Sequence, residues 1–451
     1  MKHDNRTLLT EGPIAGKLVR FALPFLGSSL IQQLYSTVDQ IFTGQVLGRD
    51  ASAAVGASGI VVTCLLGFFT GLGVGIGVLC GQNFGKQDKA GLSRVIHSAA
   101  GLALLCIVIV TAAGELLAGG FLRWMNTPAQ ILPQALVYVR IYFLCLFSIV
   151  TYNIGSGILR ALGDSRTPMI NQLAGGLLNV AADWFFLCVL HTGVGGIALA
   201  TFLSQTLAAL LTLRRLFLLP EEYRLQLKEI RLEKDTCRDI LRMGIPSAVQ
   251  SMIITFSNLL IQTQINLIGI TDIAAFTAYF KVENFIYLPI MAISQANAVF
   301  ISQNFGASKL RRMYQGMGIS LRLGVFVTLL TSCLVLMLRR QAFALFVPDA
   351  QVVAVGCDMA MVSFPFYFTY VFLEVFAGTS RGQGHAAPPM LITVINMCIA
   401  RTALLFLCMR IYHDAAGIVR IFPVTWVLNG ACQGLYLLHV RRGQEIGDPE
   451  A

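Results

Sequence analysis

Charge is scarce in this chain: Asp, Glu, Lys and Arg make up 12% of its 451 residues, against 56% hydrophobic. A soluble domain is about one-quarter charged, so a large cytosolic enzyme is excluded, and so is disorder, which needs polar residues in place of apolar ones. Paired cysteines are also missing. The eleven cysteines (Cys64, Cys80, Cys106, Cys145 and Cys188 among them) stand singly, mostly in apolar runs, without any CxxC pair. They read as small buried hydrophobes, neither zinc ligands nor a disulfide framework. The six histidines (His3, His97, His191, His385, His413, His439) form no HxxxH-like pair, which leaves no histidine metal site. There is no GxSxG nucleophile segment, no Walker sequence for ATP, and no apolar core of a cleaved signal peptide in the polar stretch Met1–Lys17. Neither catalysis, nor ATP as energy source, nor a bound cofactor is expected.

What fills the chain instead is apolar sequence of spanning length. Mean hydropathy is +0.71, and the runs fall at 14–38, 53–80, 95–118, 131–157, 167–190, 195–218, 240–268, 273–301, 317–338, 351–379, 388–410 and 415–439. A helix needs about 20 residues to cross the hydrocarbon, so these are twelve spans, the longer ones tilted. Glycines 71, 73, 75 and 77 crowd the second run. Small residues let helices approach closely in lipid, so the run reads as packing and not as a phosphate loop.

The net charge of +10 would suggest nucleic acid in a soluble protein, but its distribution says otherwise. Of the 33 Lys and Arg, 24 fall in the N-terminal segment, the even-numbered loops and the tail, five in the opposite loops and four in spans. The positive-inside rule then puts both termini in the cytoplasm. The largest basic cluster, Arg214–Arg242, alternates acids and bases like a solvated tether, so no nucleic-acid role is assigned to it. The chain divides into a six-helix lobe (1–218), a tether (219–239), a second six-helix lobe (240–440) and a tail (441–451).

The halves repeat. Gln82-Asn83-Phe84-Gly85 returns in the second half as Gln303-Asn304-Phe305-Gly306, each leading into a basic loop. Pro24 answers Pro246, and Arg160-Ala-Leu-Gly163 with Pro168-Met169 answers Arg381-Gly-Gln-Gly384 with Pro389-Met390. All three anchors share one offset in the numbering, to within a single position. Six spans per half make the repeats parallel, related by a pseudo-twofold normal to the membrane. Such folds place a substrate path between the lobes. The fold class is therefore an all-α membrane protein, twelve transmembrane helices in two pseudo-twofold-related lobes.

Ionisable residues inside spans are costly, so each is a functional candidate. Asp39 ends the first span and Asp183 lies within the fifth. Asn179 and Asp183 stand four apart, as do Tyr35 and Asp39, hence on shared helix faces. Thr201 adds a hydroxyl in the sixth. This oxygen-only set suits a hard cation such as Na+. It suits a proton equally, because two neighbouring desolvated carboxylates resist ionising together. The opposing reading is that Asp39 caps a loop in water while Asp183 bonds a neighbouring helix.

With these residues in place, the sequence resembles the multidrug and toxic compound extrusion (MATE) family of cation-coupled antiporters, along essentially its whole length. Pro24 followed fifteen residues later by Asp39 in Ser36-Thr37-Val38-Asp39, then Gly44 and Leu47-Gly48, is similar to the family's first-helix signature. Arg160-Ala-Leu-Gly-Asp164 resembles its RGxGD segment, with Ala at the usual second Gly. The resemblance implies that Asp39, Asn179, Asp183 and Thr201 hold the coupling ion, Na+ or H+. Tyr35, Tyr138, Asn153 and Ser156 stand as aromatic and polar neighbours, and Pro24 as a helix kink. It further implies an exporter of amphipathic organic cations, a monomer in the inner membrane of a bacterium or archaeon.

The second lobe departs from one branch of that family. Its first helix reads Gln250-Ser-Met-Ile-Ile-Thr-Phe-Ser-Asn258, without the glutamate some members carry. Glu283 and Glu374 remain, with Lys281 and Arg401. One reading makes them buried ion pairs; the other has Glu374 facing the substrate cleft, with Glu283 a further candidate. Two other functions compete. A lipid-linked precursor flippase fits Lys281 and Arg401 but not twelve spans with paired acids; a sensor fits the absence of a signalling domain after Val440 poorly.

Overall fold

The computed structural model describes residues 9–125, 127–412 and 414–447. His3, His413 and the two chain ends, which the positive-inside rule puts in the cytoplasm, lie outside them. Among the described residues every regular element is a helix. In chain order these are α1 (Ile14–Phe42), α2 (Arg49–Lys86), α3 (Lys89–Trp124), α4 (Leu132–Ala161), α5 (Arg166–Trp184) and α6 (Val194–Phe217). There follow α7 (Lys234–Ile265), α8 (Ile270–Gly306), α9 (Leu310–Met337), the short α10 (Arg339–Ala344), α11 (Ala350–Ser363) and α12 (Phe368–Gly382). The chain ends with α13 (Ala387–Val394), α14 (Arg401–Ile411), α15 (Ala415–Val419) and α16 (Ile421–Gly447).

Eleven helical stretches among the described residues are long and apolar enough to span a membrane, and a bent pair makes the twelfth. That pair, Ala350–Phe366 and Phe368–Gly382, turns by 53°. The break surrounds Pro365, within a tight 3-10 turn at Phe364–Phe366. A proline lacks the N–H that a helix needs and clashes with the preceding turn, so the span read as continuous over 351–379 is broken there. The α13–α14 span instead stays continuous through a π-helical turn, Ile395–Ala400.

The helices form two compact units, one over Gly27–Ala248, the other from Val249 onward together with the segment that ends at Leu26. The chain thus passes from one unit to the other inside α1 and inside α7, shortly after Pro24 and Pro246.

In the first unit α4 is central, packed on α2, α3 and α6, with Phe69, Ile76, Leu122, Leu146 and Leu159 fully buried around it. The glycine run of α2 serves two faces. A Cβ on Gly73 would meet the Asn153 carbonyl oxygen of α4 at 2.9 Å, whereas one on Gly75 would meet Gly244 Cα of α7 at 2.6 Å. Alternate glycines therefore seat α2 against two different backbones, as the small-residue reading expects. The tether lies on α3 of the same unit. His97, buried, accepts the Gln226 N–H at Nε2 (3.0 Å) while Nδ1 donates to the Ser93 carbonyl (2.8 Å), so the imidazole holds the tether against α3.

In the second unit α8 packs on α9, α11 and α12, and α12 on α16. The second QNFG segment holds the chain ahead of α1. The Gln303 side-chain oxygen accepts the Leu9 N–H (2.9 Å), and Arg312 donates to the Glu11 and Gly12 carbonyls (2.8 Å each). Backbone carbonyls outside a helix need such donors. The sequence repeat is visible in the backbone too: Gly163 and its counterpart Gly384 take φ of 89° and 94°, a left-handed turn that favours glycine.

Large apolar side chains face outward on the periphery of both units, for example Leu104, Val108 and Leu116 on α3 and Phe326, Leu330 and Leu334 on α9. Water would not tolerate stripes of that size; lipid tails do.

Candidate functional site

Asp39 lies near the end of α1, one turn before a π-helical stretch at Thr43–Leu47, and Asp183 lies at the end of α5, just before another at Phe185–Val189. Such turns re-aim side chains and recur at functional sites. Helix α5 is short of apolar residues on one face: Asn171, Gln172, Gly175, Gly176, Asn179 and Asp183 are all buried. It packs that polar face inward against α6, because leaving it in lipid would strand every amide and carboxyl.

The structure brings three of the four expected ion ligands together. The Asp39 carboxylate reaches the Asp183 carboxylate and the Asn179 carboxamide. Thr201 contributes a buried hydroxyl from α6. Asn179 and Asp183 have no solvent exposure at all, yet Asp39 Oδ1, both Asp183 oxygens, Asn179 Oδ1 and Thr201 Oγ1 make no well-formed hydrogen bond among the described residues. An orphaned buried oxygen costs about 1–3 kcal/mol, more when charged. Four of them belong to the three side chains within reach of one another, two of these being carboxylates, and form a donor set that fits a small hard cation or a proton.

The aromatic neighbours sort differently. Tyr35 and Tyr138 both lie within the electrostatic reach of Asp39, and Tyr138 also within that of Asp183. The Tyr35 hydroxyl accepts from Gln172 and Gln205, each at 3.3 Å. Tyr138 stacks on Tyr142 with centroids 6.3 Å apart. Asn153 is engaged elsewhere: its amide donates to the Ile149 carbonyl (2.9 Å) and its oxygen accepts from Thr70 (3.2 Å). Ser156 is buried beside Tyr152, whose hydroxyl donates to the Pro168 carbonyl (3.0 Å). Three residues that sequence reading passed over, Gln172, Gln205 and Tyr142, carried a signal in their spacing. They stand seven before Asn179, four after Thr201 and four after Tyr138, hence on the same faces.

In the second unit the four ionisable residues do not form the pairs considered for them. No contact of ion-pair length joins Glu283 or Glu374 to Lys281 or Arg401 among the described residues. Glu283 accepts from the Tyr367 hydroxyl (2.8 Å), and Lys281 lies 5.6 Å from the Phe346 ring centroid. Glu374 is buried, with Ser294 and Tyr370 hydroxyls at 3.4 Å from its two oxygens. Its nearest cation is Arg381, two turns along the same helix, buried and donating to Gln250 Oε1 (3.0 Å). Arg401 donates to Thr425 Oγ1 (3.1 Å) and Asn258 Oδ1 (3.3 Å) and lies 5.1 Å from the Phe422 ring centroid.

The chain matches the family model described as MatE twice, over residues 24–185 and 246–407. The two matches begin at the two prolines of the repeat. The chain is 28% identical over 394 residues to "Probable multidrug resistance protein YpnP" of Bacillus subtilis (strain 168), covering 87% of this chain and 88% of that one. It is 26% identical over 442 residues to an "FAD transporter" of Shewanella oneidensis, covering 94% of each. In fold it is similar, with a TM-score of 0.91 and 22% identity over 97% of its length and 98% of the other, to a solved structure described as "Outward-facing conformation of a multidrug resistance MATE family transporter of the MOP superfamily". Twelve spans, a duplicated half and two matches to one family lead to one conclusion: the chain is a multi-span membrane protein that belongs to the MatE family of transporters.

Proposed function

We propose that this transporter exports amphipathic cationic small molecules across the cytoplasmic membrane, driven by Na+ or H+ entering through the Asp39, Asp183, Asn179 and Thr201 cluster. The observation that carries the proposal is the set of buried oxygens left without hydrogen bonds in the first unit. A cation entering there satisfies those oxygens and screens the two carboxylates from each other. Its departure restores the repulsion, and that difference is the free energy available to bias one conformation over another. Pro24, which removes one hydrogen bond from α1, supplies the place where that helix bends on the exchange. The multidrug name of the Bacillus relative supports the substrate class.

The test is uptake into inverted membrane vesicles with Na+ and pH gradients imposed separately. A fluorescent organic cation and a flavin nucleotide are offered side by side, since one relative is named for the latter. Accumulation of the organic cation under one gradient supports the proposal; accumulation of the flavin alone, or of neither, overturns it.

The same reading predicts an asymmetry. Glu374→Gln is expected to lower thermal stability or alter substrate preference while leaving ion binding intact, whereas Asp39→Asn loses ion binding. Tryptophan fluorescence or calorimetry on the two proteins compares them directly, and loss of ion binding in the Glu374 variant alone would reverse the assignment. For orientation, a single cysteine placed at Glu229 in a background free of the native cysteines is expected to resist impermeant maleimide on intact cells. Labelling from outside would invert the topology.

A further inference from the structure

A cavity of about 490 Å³ opens within the second unit, where the first turns of α9 meet the start of α1 and the end of α16. It is of ligand size. Three arginines line it, Arg311 and Arg322 from α9 and Arg441 from α16, and no Asp or Glu is among its described lining residues. Its wall is braced. The Tyr314 hydroxyl donates to Gln444 Oε1 (2.7 Å), Gln444 Nε2 donates to Gln383 Oε1 (3.2 Å), and the Arg441 guanidinium lies 5.1 Å from the Tyr314 ring centroid.

Position along α9 says what the arginines meet. Residues 311, 315, 318 and 322 share one helix face. Arg322 lies roughly 16 Å farther along the axis than Arg311, at 1.5 Å per residue. One turn beyond it, Phe326 is 66% exposed, and two turns beyond, Leu330 is 60% exposed. The cavity therefore sits where the lipid-facing stripe of α9 gives way to the polar boundary. A guanidinium so close to hydrocarbon is costly without an anion. Among the described lining residues no carboxylate faces Arg311 or Arg322, and the planar fork of arginine matches two phosphate oxygens at once.

We propose that this cavity binds the phosphate diester headgroup of an anionic glycerophospholipid, with the glycerol against Ile14 and Ile319 and the acyl chains along Phe326 and Leu330. Basic pockets between spans are suited to that chemistry. The lipid is a bound structural ligand, and this inference stands independently of which ion or substrate the protein carries.

The experiment uses the purified full-length protein in neutral detergent. Retention of phosphatidylglycerol is compared with that of phosphatidylcholine by native mass spectrometry, and inorganic phosphate is added alone as a third arm. Phosphatidylglycerol is expected to be preferred, and the preference to fall roughly fivefold for each arginine replaced by Gln, down to parity in the R311Q/R322Q/R441Q protein. Equal retention of the two lipids by the parent overturns the proposal, as does an undiminished preference in the triple variant. Displacement of phosphatidylglycerol by inorganic phosphate at equal concentration would assign the site to free phosphate instead. Should the triple variant be recovered poorly, R322Q alone carries the comparison, since that side chain is exposed and its replacement leaves the packing untouched.

Discussion

Gradient-driven efflux is expected to fall to background when Asp39 or Asp183 is replaced by Asn, with the protein still inserted and recovered at parental yield. The replacement keeps the size and planarity of the side chain and removes only its charge. One carboxylate then faces a cation that two held before. Losing one member of a buried charge cluster costs about 3 kcal/mol or more, which is roughly two orders of magnitude in cation affinity. The folding penalty runs the other way. Two buried carboxyl groups within reach of each other, with Asp39 Oδ1 and both Asp183 oxygens short of hydrogen bonds, are costly in the apo state, so either neutral variant is expected to melt at or above the parental temperature in ion-free buffer. Export at the parental rate by both variants under a defined gradient would remove the cluster from the mechanism.

The second large effect concerns α2. Gly75→Val is expected to abolish recovery of monodisperse protein after detergent extraction. A Cβ at this position would lie 2.6 Å from Gly244 Cα and 2.8 Å from the Met243 carbonyl carbon. Both obstacles are backbone, so neither can rotate aside, and α2 and α7 must separate along their contact. Overpacking of this kind costs about 3 kcal/mol or more, and in lipid no hydrophobic drive restores the contact. The control is Gly59→Val on the same helix, where an added Cβ has no neighbour within 4 Å. Equal recovery of the two variants, read by size-exclusion chromatography and thermal melting, would show that the glycines of α2 are there for another reason.

How far the sequence was legible depends on the kind of residue. The spans were legible because charge is rare, and a charge-free run of about 20 residues has few alternatives. The bend at Pro365 was not, because hydropathy averages over a proline that still counts among apolar neighbours. The candidate ligand set was visible through acids in spans and their i, i+4 partners. Gln172 and Gln205 escaped because neutral amides in a span carry no comparable penalty and draw less notice. Arg381 escaped for the opposite reason. Near a helix end it counts as a loop cation, while the structure buries it beside Gln250 and within reach of Glu374. The repeat could have helped, since Glu374 is the counterpart of Asn153 at the offset that relates the two QNFG segments. The main chain keeps the correspondence. The Asn153 carbonyl lies against Gly73, and the Glu374 carbonyl accepts from Ser294, the counterpart of Gly73 (2.9 Å).

Arg401 has an electrical consequence. At the offset that relates Pro24 to Pro246, Arg401 answers Asn179, while Ile261 and Leu405 answer Asp39 and Asp183. Phe422, beside which the Arg401 guanidinium lies, answers Thr201 at the offset of the QNFG segments. The second half thus carries a positive charge on a covalent stem at the place where the first half offers oxygens to a visitor. A charge that enters on one side and leaves on the other gains about 2.3 kcal/mol for each 100 mV of membrane potential, whereas a charge that returns with its own helix each cycle gains nothing net. On the proposed coupling, then, the visiting ion of the first half draws on the voltage and the fixed guanidinium of the second half does not.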